Sequence, residues 1–149
     1  MTNPSATAVF PVGRLLLVIA ATSAALAVLT TVVKTGGLVD SETYKGFILG
    51  LCSATLSHVL GTFAGAFFAA RMVAAGHGAG SMVSAYLAST TVRFIATPAL
   101  ALSLYFLLPQ KPAPLLLGAA AGHLLIMVAD IAAVMKSLQG SAGSSAPNA

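Results

Sequence analysis

The sequence predicts an all-α integral membrane bundle of four transmembrane helices, arranged as two antiparallel hairpins, and three observations carry that prediction. Of 149 residues, 58% are hydrophobic and only 7% are charged, whereas a soluble domain needs roughly 25% charged residues to solvate its surface. Four apolar segments each reach the roughly 20 residues that take a helix across ~30 Å of hydrocarbon. The stretches between them are short and carry turn chemistry. Most of the outer surface must therefore face lipid.

The first span, residues 15–33, holds no charge and lies between Arg14 and Lys34. Ala25-Leu26-Ala27 resembles a small-residue cleavage site, and cleavage there would leave three spans. The apolar run is longer than the roughly 7–15 residues of a signal-peptide core, so a retained helix is expected. Gly36 and Gly37 suit a helix C-terminus, and Asp40 or Ser41 can cap the next helix. The second span, residues 46–70, is uncharged between Lys45 and Arg71.

A glycine-containing stretch, residues 72–81, reads as a flexible linker with His77 solvated in it. The third span, residues 84–108, carries Arg93 and stops at Pro109. Pro98 inside it predicts a kink that frees the Phe94 carbonyl, with Thr90, Thr91 and Thr97 nearby. Pro109, Pro112 and Pro114 forbid a continuous helix, so the third and fourth spans pair as a hairpin. The fourth, residues 115–135, carries Asp130 and ends at Lys136. Tyr44 and Tyr105 fall near span ends, where interfacial aromatics belong. Residues 1–10 and 139–149, small and polar, are expected to be disordered tails around a membrane domain at 11–138.

Charge excludes some functions and leaves orientation open. The seven cations are scattered rather than clustered, which argues against nucleic acid as a partner. Arg14, Arg71 and Lys136 lie at one end of the bundle, and Lys34, Lys45 and Lys111 at the other. With three on each side, the positive-inside rule does not choose. Cys52, the single cysteine, cannot form an internal disulfide, and its apolar run predicts a small buried hydrophobe. There is no phosphate-binding loop, nucleophile elbow or catalytic carboxylate pair, so neither an enzyme nor a cofactor is expected.

Helices in lipid associate through small residues and interhelical hydrogen bonds. At spacing four, Ser53, Ser57, Gly61, Gly65 and Ala69 form one row on the second span. Gly46, Gly50, Ala54, His58, Thr62, Ala66 and Ala70 form an adjacent row, and Gly118 and Gly122 repeat the pattern on the fourth span. The two rows make a broad groove, to be filled by a helix of the bundle itself or of a partner protein; a homo-oligomer stays open.

Four polar residues stand inside the spans. A charge near the bilayer centre costs roughly 2.5–3.5 kcal/mol on insertion scales and must face the bundle interior, a partner or water. With the third helix entering hydrocarbon near Leu87, Arg93 lies about 9 Å deep, and Asp130 lies about 9 Å inside Lys136 at the same boundary. Matched depth predicts an Arg93–Asp130 ion pair; the alternative has Arg93 snorkelling and Asp130 solvated near its helix end. His58 sits mid-span, and His123 shares a helix face with Asp130, two turns away. These groups can serve as packing histidines, or can line a track for protons or divalent cations. Their spacing matches no metal motif.

The order of these features resembles the ATP synthase protein I family. The resemblance rests on the Gly- and Ser-rich second helix ending at Arg71 (GFILGLCSATLSHVLGTFAGAFFAAR), the third helix with its embedded cation (YLASTTVRFIATPALALSLYFLL) and the Pro-bounded fourth helix (PLLLGAAAGHLL). The matching positions are Gly50, Ser57, Gly61, Arg71 and Arg93. The resemblance implies an accessory protein of the bacterial inner membrane, with both termini cytoplasmic, that assists assembly of the rotor-ring subunits of F-type ATP synthase. A divalent-cation transport role is also implied. Asp130, His58 and His123 depart from the family pattern.

Overall fold

The computed structural model describes residues 10–76 and 80–143, and among them every regular element is an α-helix. The four are α1 (Val12–Thr35), α2 (Ser41–Ala74), α3 (Gly80–Leu107) and α4 (Pro112–Gly143). All four are long and apolar enough to cross a membrane.

Local chemistry explains each boundary. α1 ends in the Gly36-Gly37 pair, where Gly37 takes a left-handed φ of +74° that a side chain would resist. Asp40 caps α2, its carboxylate accepting from the Thr43 amide at 2.7 Å and from the Thr43 hydroxyl at 3.1 Å. α2 stops before Gly76, which also has a left-handed φ, of +78°. α4 starts on Pro112, whose missing N–H would have had no partner in a first turn. α3 runs through Pro98 as one helix, although that proline has no N–H to offer the Phe94 carbonyl.

Two expected boundaries move. Phe10, assigned to the disordered tail, is buried against Leu15, Ala69 and Ala85. The last helix continues to Gly143, into the segment expected to be disordered from residue 139. Residues 1–9 and 144–149, and His77 in the linker, lie outside the described residues.

α2 is the hub. Eleven of its residues are buried, against Leu15 and Ile19 alone in α1. α3 and α4 each pack chiefly on α2 and much less on each other, while α1 lies outside against α2 and α4. The neighbours Thr31 and Tyr44, and Ser23 and Thr55, make α1 and α2 antiparallel. α2 runs antiparallel to α3, with Ser57 beside Thr97 and Thr62 beside Arg93. It runs parallel to α4, with Gly46 at Pro114 and His58 at Asp130.

The small-residue rows divide the work. A Cβ at Gly46 or Gly50 would strike Pro114, Leu115 or Ala119 of α4, and one at Gly61 or Gly65 would strike Ser89, Arg93 or Ala85 of α3. On α4, Gly118 meets the Phe47 backbone, and Gly122 meets Leu51 and Ala54. The expected single broad groove is thus two seams, each filled by a helix of this chain. Close backbone approach is what glycine supplies there.

Candidate functional site

The seams meet at a polar centre inside the bundle. His58 and Thr62 project from α2 one turn apart, Ser89, Arg93 and Thr97 from α3 at the same spacing, and His123 and Asp130 from α4 two turns apart. All seven are buried, with Arg93 1% exposed and Asp130 and His58 fully covered.

The ion pair expected from matched depth forms: Arg93 Nη1 donates to Asp130 Oδ2. Arg93 is therefore not snorkelling, and Asp130 is not solvated. The second guanidinium arm donates from Nη2 to Thr62 Oγ1 at 3.0 Å, and Thr62 donates to the His58 carbonyl oxygen at 2.9 Å. The path of Arg93 depends on Gly61, where any Cβ would overlap Arg93 Cγ and the Ser89 carbonyl oxygen. Glycine there lets the arginine cross to Asp130.

The same carboxylate oxygen faces a second donor. His58 Nδ1 lies 3.4 Å from Asp130 Oδ2, a long contact. A carboxylate only accepts, so Nδ1 carries the hydrogen, and in neutral His58 Nε2 is a bare lone pair. His123 can reach that state by another route. Thr97 Oγ1 has one proton and three neighbours: the Arg93 carbonyl oxygen at 2.9 Å, Ser57 Oγ at 2.5 Å and His123 Nδ1 at 2.9 Å. Where that proton goes to the carbonyl, His123 Nδ1 donates to Thr97 and Nε2 is the lone pair; where it goes to His123 Nδ1, the ring hydrogen sits on Nε2 instead.

The two imidazoles lie with ring centroids 5.0 Å apart, and Phe94 packs edge-on to His123 at 4.9 Å. Five polar atoms of the centre are buried with no hydrogen-bond partner: Nε2 of both histidines, Asp130 Oδ1, Arg93 Nε and Ser89 Oγ. Each such atom carries a desolvation penalty of about 1–3 kcal/mol. Chemically, the centre holds one formal salt pair, an unused carboxylate oxygen and two ring nitrogens without partners.

Each residue singled out in the sequence can now be placed. Arg93, Asp130, His58 and His123 converge on the centre. Ser57 joins it through Thr97, while Ser53, also buried, bonds only within its own helix, to the Gly50 carbonyl oxygen at 2.7 Å. Gly46, Gly50, Gly65, Gly118 and Gly122 lie in the seams. Thr62 and Ser89 were not anticipated as members, and Thr97 was noted only beside Pro98. A search for hydroxyls four residues from each intramembrane charge or histidine would have found all three. Cys52 contradicts its expectation, for it is exposed on the lipid side of α2.

Fold and centre together define a multi-pass helical membrane protein organised around a buried, ion-paired polar core. The chain matches no family profile, no curated protein and no solved structure.

Proposed function

We propose that this protein takes up and passes protons within the membrane at its His58–Asp130–His123 centre. One observation carries the proposal: Nε2 of both histidines is buried without a hydrogen-bond partner, beside an ion pair whose carboxylate keeps one oxygen unused. Intramembrane ionisable groups are expensive and mark proton or ion pathways when they are not merely paired. Imidazole can bind a proton on one ring nitrogen while the other keeps its hydrogen bond, so it is chemically suited to relay protons.

A proton suits the centre better than the divalent cation implied by the family resemblance. The Arg93 guanidinium already occupies Asp130 Oδ2, so the carboxylate cannot close on a metal ion through both oxygens. Among the described residues, no three His, Cys, Asp or Glu side chains gather as a metal ion would require. The test is purified protein in liposomes under a pH gradient, read with an internal pH dye. Proton flux above protein-free liposomes is expected, with Asp130→Asn and the double variant His58→Gln/His123→Gln abolishing it. Flux equal to empty liposomes overturns the proposal.

A second reading keeps the accessory role in assembly of the F-type ATP synthase rotor ring, and the outer surface favours it. α1 buries little of its own surface, and a groove of about 450 Å³ runs between it and α2, lined by Ser23, Ala24, Ala27, Cys52 and Thr55 among others. The glycine seams are occupied internally, so a rotor-subunit helix would dock in this groove instead. Cys52 offers a native cross-linking handle there. Deletion should lower rotor-ring yield in the bacterial inner membrane, and cross-linking through Cys52 should capture a ring subunit. Unchanged ring yield with no cross-linked ring subunit removes this reading.

A further inference from the structure

The two ends of the bundle carry equal numbers of cations but not equal charge. At the end holding both hairpin loops, acids accompany the lysines: Lys45 Nζ lies 3.7 Å from Glu42 and Lys111 Nζ 4.0 Å from Asp40. Lys34 sits over the Tyr44 ring at 4.4 Å. Three cations and two acids leave a formal charge of +1 there. The opposite end, where α1 and α3 begin and α2 and α4 finish, carries Arg14, Arg71 and Lys136 and no Asp or Glu anywhere in its sequence. Its formal charge from these side chains is +3.

Those three cations come from three helices that converge on one apolar cluster. Phe10, Leu15, Ala69 and Ala85 form it, with Val134 packed against them. Arg14 precedes Leu15, Arg71 follows Ala69 by two residues, and Lys136 follows Val134 by two, so the charges rim a single end of the bundle. All three side chains are exposed. Arg71 lies over the ring of Phe67, which is itself exposed to lipid, at 5.1 Å to the centroid, and this places its guanidinium at the edge of the apolar surface.

We infer that this terminal end is the one that binds the headgroups of anionic phospholipids, more strongly than the loop end does. The phosphodiester of an anionic phospholipid lacks the headgroup ammonium that compensates it in phosphatidylcholine, so guanidinium and ammonium groups of the protein supply the missing counter-charge. At the loop end, Asp40 and Glu42 offset the same attraction. Near-surface cations each favour an anionic membrane by about fivefold in binding. Three of them give a clear preference, and salt screens it.

The experiment measures lipid selectivity of the full chain in vesicles of phosphatidylcholine and phosphatidylglycerol at 3:1, using spin-labelled versions of each lipid to read the protein-restricted fraction. Several-fold preference for phosphatidylglycerol is expected, falling towards unity in 1 M salt. The triple variant Arg14→Gln/Arg71→Gln/Lys136→Gln should lose it, and Lys34→Gln/Lys45→Gln/Lys111→Gln should keep it. Equal restriction of the two lipids by wild-type protein overturns the inference without any variant. Equal loss in both triple variants, each with wild-type helicity by circular dichroism, overturns it as well.

Discussion

Breaking the Arg93–Asp130 pair one side at a time, and then both sides together, tests whether the centre is a true ion pair. Asp130→Asn leaves the Arg93 guanidinium buried without its counter-charge, and Arg93→Gln does the same to the carboxylate. Removing one member of a buried pair costs about 3–5 kcal/mol, because the survivor stays desolvated and uncompensated. At 1.4 kcal/mol per decade, each single variant shifts the folding equilibrium by roughly two to three and a half orders of magnitude. The double variant behaves differently. Gln and Asn are neutral, so the charge penalty disappears, and the remaining loss is a few hydrogen bonds at about 0.5–1.5 kcal/mol each.

The expected signature is non-additive: the double variant is more stable than either single one, with a coupling of about 3 kcal/mol or more. Equilibrium unfolding in mixed micelles, followed by helix circular dichroism, reads all four proteins. Ordinary interhelical hydrogen bonds in membranes couple by about 0.6 kcal/mol on average and at most about 1.7. A measured coupling within that ordinary range, or strictly additive losses, would refute the ion pair as the organiser of the centre.

Three further outcomes are expected. Gly61→Ala should destabilise the bundle by about 1–3 kcal/mol by overpacking, and by more where Arg93 is dislodged, whereas Gly13→Ala, with open space around it, should be neutral or stabilising; equal unfolding midpoints would count against the seam. Asp40 should titrate below its ordinary value of 3.8, since the Thr43 amide and then the Thr43 hydroxyl hydrogen-bond its carboxylate. Its folded pKa is depressed, so its contribution to stability is present above the unfolded value and lost as pH falls through the folded one; carbon NMR of the carboxyl checks both the direction and the acid-side fraying of α2. Cys52 in membranes should react with a lipid-soluble maleimide and resist a charged one, and resistance to both would place it in the core instead.

What could be read in the sequence divides along a physical line. In a bilayer, a charged or strongly polar side chain has few acceptable directions, the bundle interior, a partner or water, so matched depth could pair Arg93 with Asp130 while leaving snorkelling as the alternative that the structure removes. Apolar and small residues have two acceptable directions, because lipid tails and the protein core are equally apolar. Cys52 was misplaced for that reason, and nothing in the residues says which helix fills which glycine row. Phe10 shows the same ambiguity at the boundary, since a lone aromatic beside a polar tail can equally belong to the helix bundle. The hydroxyls were hidden because Thr and Ser can satisfy themselves on the carbonyl one turn back, as Thr90 and Thr91 do. Only the tertiary approach of a guanidinium or imidazole turns such a residue, as at Thr62 and Thr97, into part of a network.

The glycine seams and the ion pair then solve one problem together. α3 and α4 each lie on α2 but hardly touch one another, so small-residue packing alone fixes their distances to α2 and leaves each free to rotate about its own axis. Rotating α3 would carry Arg93 towards lipid, and rotating α4 would do the same to Asp130, each at the insertion penalty of a lone charge. The pair therefore closes the third side of the triangle. It can do so only because Gly61, at the point of closest approach, gives the arginine room to reach across α2. On the proposal that the centre handles protons, a charge gained there would act on the contact that sets the rotation of both helices.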